Sequence, residues 1–124
     1  MLKLLYIGLG GFFGAISRYS ISKLLNTKWK SIIPFGTLAV NILGSFLIGL
    51  LMAFFLEKNV VQPYLRAALT TGFLGALTTF STFGYETMQL LEDKSYIFAG
   101  VNIFSNLLFS ILFVFLGIYL ARLI

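Results

Sequence analysis

The sequence predicts an all-α membrane protein with four transmembrane helices, the third of them interrupted. Of its 124 residues, 59% are hydrophobic and only 10% are charged, whereas an ordinary soluble domain is about 25% charged. Four stretches are long and apolar enough to cross a bilayer, which takes about 20 residues. The third stretch differs from the others because it holds three glycines and six serines or threonines between positions 70 and 84.

Short polar connectors separate the four predicted spans, which we place at about residues 4–25, 32–56, 65–91 and 96–120. The connectors carry the charged and amide side chains typical of membrane–water boundaries. Pro34 and Pro63 fall in or beside them, where a missing backbone N–H costs little. We therefore expect one transmembrane domain over residues 1–124 and no domain outside the bilayer.

The first span follows Lys3 and resembles the apolar part of a signal peptide. No small-residue cleavage site follows it, and Arg18 lies where cleavage would be expected, so we interpret it as a membrane helix. An ionisable residue inside a span is a candidate functional residue. A long side chain near the end of a span can equally reach back to the interface, and for Arg18 both interpretations stay open.

The second span carries small residues at every fourth position, Ser45, Gly49 and Ala53. Such spacing lets helix backbones approach closely in lipid, and we interpret it as a packing surface. The same span holds a single amide, Asn41. An amide within the bilayer must find a hydrogen-bond partner or water, which makes Asn41 a candidate site residue.

The third span is predicted to break near the middle of the membrane. Serine and threonine can bond to carbonyls one turn earlier, and glycine weakens the helix. Irregular backbone is tolerated at that depth only where it is buried in protein or lines a cavity, and broken helices commonly build ion sites. The alternative is a continuous helix that uses these residues for packing.

Two aromatic residues follow the predicted break on one helix face, because Phe80 and Phe83 are three positions apart. Such spacing usually reflects packing. Aromatic rings also have positive edges, so edge-on phenylalanines can line a path for anions.

The fourth span contains a straight polar stripe, Asn102, Asn106 and Ser110, at four-residue spacing. Hydrogen bonds between helices would explain one or two such residues. We expect the whole stripe, opposite an interrupted helix, to form a water-lined track.

Composition excludes several classes of function. The chain has no Cys and no His, and only four acidic residues. Metal sites built on thiolate or imidazole, and Cys or His nucleophile pairs, are therefore absent, and an enzyme is not expected. The net charge of +5 comes from basic residues that lie singly between apolar runs. This pattern favours lipid headgroups over nucleic acid as partners, and no obligate protein partner is evident.

The charges within the spans favour an anion over a cation. Arg18 is a permanent cation, and Glu86, near the end of the third span, is the only acid well inside one. A proton-coupled cation exporter would need a carboxylate at the middle of the membrane.

The basic residues outside the spans divide evenly between the two sides of the membrane. Orientation normally follows an excess of Lys and Arg on one side. An even division predicts dual topology, in which copies insert both ways and pair as an antiparallel homodimer; alternatively, a modest bias is hidden by uncertain span ends. One side carries Lys3, Lys58, Arg66 and Arg122, and the other Lys23, Lys28, Lys30 and Lys94.

Four stretches together resemble the Fluc family of fluoride channels, in order and over nearly the whole chain. The third is the most specific, and the fourth is matched by its polar character. They are Gly10–Tyr19 (GGFFGAISRY), Gly36–Gly44 (GTLAVNILG), Gly72–Phe83 (GFLGALTTFSTF) and the stripe of the last span.

The resemblance implies a passive, selective fluoride channel of the bacterial inner membrane that protects the cell from fluoride. It implies an antiparallel homodimer with two pores at the subunit interface, and a central structural Na⁺ held by backbone carbonyls matching Gly75 and Thr78 of both subunits. Phe80 and Phe83, one from each subunit, would line each pore. The implied fluoride pathway comprises Arg18, Asn41, Phe80, Ser81, Thr82, Phe83, Glu86, Asn106 and Ser110.

Two other functions compete with this interpretation. A small multidrug-type transporter shares the size, the four spans and the dual topology, but it needs a carboxylate in its first span, where this chain has Arg18. A non-catalytic accessory subunit would explain the small-residue stripes but not the interrupted third span.

Overall fold

The computed structural model describes residues 1–124, which form helices and no strands. Three helices are long and apolar enough to cross a membrane: α1 (Leu2–Lys28), α2 (Phe35–Lys58) and α6 (Tyr96–Leu123). Between α2 and α6 lie four short pieces: α3 (Pro63–Ala67), a π-helical segment (Ala68–Leu74), α4 (Gly75–Leu77) and α5 (Phe80–Glu92). These pieces make up the third span, so the prediction that it is interrupted is confirmed.

The third span breaks at Thr78 and Thr79, whose backbones are extended with ψ angles of 155° and 120°. The Thr79 hydroxyl accepts a hydrogen bond from the backbone N–H of Thr82 at 3.2 Å. Threonine at this position supplies an acceptor to one of the free N–H groups at a helix start, and α5 therefore begins at Phe80. The π-helical segment before the break was not predicted.

The helix ends differ from the predicted bounds. The predicted connector runs from Asn26 to Ser31, but its first three residues continue α1. There the Thr27 hydroxyl bonds to the Lys23 carbonyl one turn earlier at 2.7 Å, and Lys28 lies favourably at the C-terminal end of the helix dipole. α2 begins at Phe35 rather than 32, since Pro34 disfavours helical backbone in the residue before it. It also runs two residues further, to Lys58, and α6 runs three further, to Leu123.

Glycines allow close contacts between helices. Any Cβ on Gly49 of α2 would collide with the Val114 carbonyl of α6. On α1, a Cβ on Gly14 would collide with the carbonyl of Phe73 in the π-helical segment. Close backbone approach at glycine is a usual way for helices to associate in lipid. The contact at Gly14 packs the third span against α1, and the contact at Gly49 packs α2 against α6. The break of the third span faces Asn41.

Candidate functional site

The side chain of Asn41 holds the break in the third span. Its Oδ1 accepts the Thr79 N–H at 2.8 Å, and its Nδ2 donates to the Thr79 carbonyl at 3.1 Å. The amide of one helix thus satisfies both backbone groups of a residue that has left the helical ladder, which an apolar environment requires. The position of Thr79, and with it the start of α5, depends on this pair of bonds.

A chain of amides extends from Asn41 across the molecule. Asn41 Nδ2 also donates to Asn106 Oδ1 at 3.0 Å. Asn106 Nδ2 donates to the carbonyl and Oδ1 of Asn102, at 2.9 and 3.1 Å. Asn102 Nδ2 in turn donates to the hydroxyl of Thr87 on α5 at 2.9 Å. Asn102 has 0% of its surface exposed, so the expectation that the whole stripe is water-lined is wrong at Asn102, which the packing of α6 turns towards α5.

An open cavity of about 310 Å³ lies beside the break, and we call it the inner cavity. The Phe80 and Phe83 rings border it, with centroids 5.3 Å apart and planes inclined by 56°. Phe83 is 7% exposed, whereas Phe80 is 77% exposed in the single chain. The polar residues lining the inner cavity are Asn41, Ser45, Thr78, Thr79, Asn106 and Ser110.

A second cavity of about 360 Å³, the outer cavity, lies between the C-terminal half of α1, the start of α2 and α5. Its lining includes Arg18, Lys23, Thr37, Thr82 and Glu86. The Thr37 hydroxyl donates to Glu86 Oε1 at 2.7 Å, while Glu86 Oε2 is buried without a hydrogen-bond partner.

The cations of the outer cavity have no carboxylate partner. The single ion pair of the chain joins Arg122 and Glu57, and Arg18 does not pair with Glu86 although both line the outer cavity. Thr79 lines both cavities, so the charged outer cavity and the neutral inner cavity meet at the break.

The predicted site residues therefore divide into groups. Asn41, Phe80, Phe83, Asn106 and Ser110 meet at the inner cavity. Arg18, Thr82 and Glu86 meet at the outer cavity. Ser81 lines neither: it is exposed, with its hydroxyl 3.3 Å from that of Thr79.

Two carbonyls at the break have lost their usual helical partners. The Thr79 N–H, which would bond to Gly75, donates to Asn41 instead. The Thr82 N–H, which would bond to Thr78, donates to the Thr79 hydroxyl. Gly75 is exposed and Thr78 is half-buried. Carbonyls released at a broken membrane helix are suitable ligands for a monovalent cation such as Na⁺.

Three threonines of the site were not predicted from the sequence. Thr37, Thr79 and Thr87 are all at least 90% buried and take part in side-chain hydrogen bonds. Thr87 offered one signal: it lies one turn after Phe83, so its hydroxyl can bond the Phe83 carbonyl, as it does at 2.8 Å. Thr37 and Thr79 lie within the stretches that carry the resemblance, but no pattern in the sequence showed their partners.

Comparison with known proteins gives a consistent result. A family model described as CrcB-like protein, Camphor Resistance (CrcB), matches residues 5–118. A protein of Geotalea daltonii named fluoride-specific ion channel FluC is 48% identical over 122 residues, covering 98% of both chains. Proteins with the same name from Syntrophotalea carbinolica, 46% identical over 98% of both chains, and from Methanococcus maripaludis, 49% identical over 94% of this chain and 93% of its own, also match.

Proposed function

The chain belongs to the CrcB-like family, and on that premise we propose that it is a passive, fluoride-selective channel that exports fluoride from the cytoplasm. It is a multi-pass membrane protein and not an enzyme; membership of the family confirms both predictions and the resemblance from which they came. The relatives are named as fluoride-specific ion channels. The proposal for this chain rests on that similarity and on the geometry of the break.

The observation that carries the proposal is the lining of the inner cavity. Neutral amides and hydroxyls stand opposite two phenylalanine rings at the break of a membrane helix. Fluoride is small and holds its water tightly, so a narrow path must replace that water with hydrogen-bond donors, which the serine hydroxyls of the inner cavity can supply. The positive ring edges of Phe80 and Phe83 add attraction without a full charge. A larger anion such as chloride gains less from the same donors.

The outer cavity suits the entry of an anion. Arg18 is unpaired there, and an unpaired cation in a cleft raises the local concentration of anions. Thr82 lies on the route from Arg18 to the break, and its hydroxyl accepts from Thr79 at 3.1 Å, which leaves its own hydrogen available to an ion. In the proposal, Glu86 marks the mouth of the pathway.

Export would need no coupled energy source. Hydrogen fluoride enters cells as a neutral acid and ionises in the cytoplasm, where the anion is trapped. A potential that is negative inside then drives the anion out, by about 2.3 kcal/mol per 100 mV. An uncoupled, selective pore in the inner membrane is sufficient to protect the cell.

The proposed working unit is an antiparallel homodimer with two pores where the subunits meet. The single chain leaves the inner cavity open on one side, and Phe80, Thr71 and Gly75 are exposed along the third span. Small residues there would let a second copy approach closely. The even division of basic residues between the two sides allows that copy to be inverted. A chemical label placed on the first or the third connector, which lie on the same side of one subunit, should therefore be accessible from both faces of the membrane. Access from one face alone would contradict dual topology.

The same dimer would bring the free carbonyls of two breaks together. We propose that Gly75 and Thr78 of both subunits hold a structural Na⁺ at the two-fold axis, because both carbonyls lack their helical partners. When bound, the cation neutralises the repulsion between carbonyl dipoles that face one another.

Ion flux from proteoliposomes tests the function directly. Vesicles loaded with fluoride, with chloride or with a cationic dye are reconstituted with the full chain, and efflux is started with a potassium ionophore. We expect rapid fluoride release without a proton gradient, and little release of chloride. Proton-dependent dye movement would support the multidrug-type transporter instead, and no flux of any of the three would support an accessory subunit.

A further inference from the structure

We infer that Asn102 is a positioning residue for the ion pathway, which fixes the orientation of the Asn106 amide that bonds to Asn41. The inference rests on the proposed channel function. Asn102 lines neither cavity and has no exposed surface. It cannot touch a permeating ion, so any influence on permeation passes through its hydrogen bonds.

The Phe83 carbonyl on α5 sets the donor and acceptor direction of the hydrogen bonds that run from Thr87 to Asn41. The Phe83 carbonyl can only accept, so the single hydrogen of the Thr87 hydroxyl is used there. Thr87 can then only accept from its other neighbour, which turns the Asn102 NH₂ group towards it. Asn102 Oδ1 consequently faces Asn106 and accepts from its amide nitrogen.

The other end of the chain requires the same order. The Thr79 N–H can only donate, so Asn41 must present Oδ1 to it and turn its NH₂ group towards Asn106. Asn106 must then offer Oδ1 to Asn41, as the Asn102 end already dictates. Two ends with fixed polarity therefore agree on one orientation for all three amides.

The consequence for permeation concerns which donors remain free. Both hydrogens of Asn41 Nδ2 are used, on Thr79 and Asn106, and both hydrogens of Asn106 Nδ2 are used on Asn102. The amides thus hold the break in place, and the Ser45 and Ser110 hydroxyls in the inner cavity are left to meet the ion. Without Asn102, the Asn106 amide loses a partner and can turn over, which leaves Asn41 facing a second donor.

The test compares variants that cut this chain at two points. Asn102→Leu removes the amide while keeping a similar shape, and Thr87→Val replaces one hydroxyl with a methyl group. Thr87→Ser keeps the hydroxyl and serves as the rescue variant. Ser105→Ala, on the same helix but outside both cavities and the amide chain, serves as the control.

Fluoride and chloride efflux from proteoliposomes are measured for each variant, with elution volume and circular dichroism as checks on folding. We expect Asn102→Leu and Thr87→Val to lower fluoride efflux roughly fivefold, the rate equivalent of the hydrogen bond between Asn102 and Thr87 that both changes remove. Both should also lower the ratio of fluoride to chloride flux. Thr87→Ser and Ser105→Ala should stay within about twofold of the parent, since neither breaks the chain of bonds. The fluoride efflux of the double variant should be no lower than that of the more affected single variant, because both substitutions interrupt the same series of hydrogen bonds.

Three outcomes would overturn the inference. Equal flux and selectivity in Thr87→Val and Thr87→Ser would remove it, whatever Asn102→Leu does. A lower yield of folded protein with an unchanged flux ratio would reduce Asn102 to a packing residue. Absence of fluoride flux in the parent protein would instead overturn the proposed function and, with it, this inference.

Discussion

The inner and outer cavities meet at Thr79 but are built on opposite plans. Around the inner cavity, the amides of Asn41 and Asn106 have fixed partners on both sides. Around the outer cavity, Arg18 and Lys23 have no carboxylate partner. One carboxylate oxygen of Glu86 there has no hydrogen-bond partner. One region is neutral with its amides fully hydrogen-bonded, and the other is charged and incompletely paired.

This difference separates two tasks that an anion channel has to perform. Attraction of an ion acts over many ångströms and tolerates side chains that move. Discrimination between two ions depends on donor positions within a fraction of an ångström, so the donors need rigid support. The two cavities therefore predict different responses to mutation: selectivity should change at the inner cavity, and rate with its salt dependence should change at the outer cavity.

The largest effect is expected for Asn41→Leu. The change removes three hydrogen bonds and leaves the N–H and carbonyl of Thr79 without their partner. At about 1 kcal/mol for each bond, fluoride efflux should fall on the order of a hundredfold, and selectivity over chloride should fall with it. Efflux from proteoliposomes at equal protein density measures both. Asn41→Leu protein with normal elution and parental selectivity would show that the break does not depend on the amide.

A smaller effect is expected at the two phenylalanines. Phe80→Ile and Phe83→Ile keep an apolar side chain but remove the aromatic rings that border the inner cavity. An aromatic edge contributes about 1 kcal/mol, so each variant should lose roughly fivefold in fluoride efflux. Phe115→Ile supplies the matched control, because that ring lies on α6 outside both cavities. If fluoride efflux were untouched in both inner-cavity variants, the proposed pathway would be wrong.

The sequence predicted the elements that depend on local chemistry. The density of Gly, Ser and Thr after residue 70 predicted the break, and the spacing of Phe80 and Phe83 predicted their shared helix face. It did not predict the bond between Asn102 and Thr87, because four-residue spacing says which residues align along α6 but not how α6 is rotated against α5. Helix rotation is a property of packing, and here it decides which members of the stripe are buried.

The same reasoning explains the misplaced helix ends. The connector after the first span was predicted from polar residues, yet Thr27 bonds within the helix and Lys28 is compatible with its last turn. Polarity marks the edge of the bilayer, whereas a helix ends where its backbone groups find other partners. The two need not coincide, and α1 consequently extends three residues beyond the predicted span.

The smallest effect is expected at the outer cavity, where Arg18→Gln should lower fluoride efflux only about threefold at low salt, because a single unpaired charge acts by raising local ion concentration. The deficit should shrink as ionic strength rises towards 0.5 M, since screening also weakens the attraction in the parent protein. Selectivity over chloride should not change, because the inner cavity is intact. Lys28→Gln is the matched control: this lysine lies in the last turn of α1 and lines neither cavity, so its removal should matter less than that of Arg18. A change of selectivity in Arg18→Gln would mean that the two cavities do not divide the work, and that discrimination already begins at the mouth.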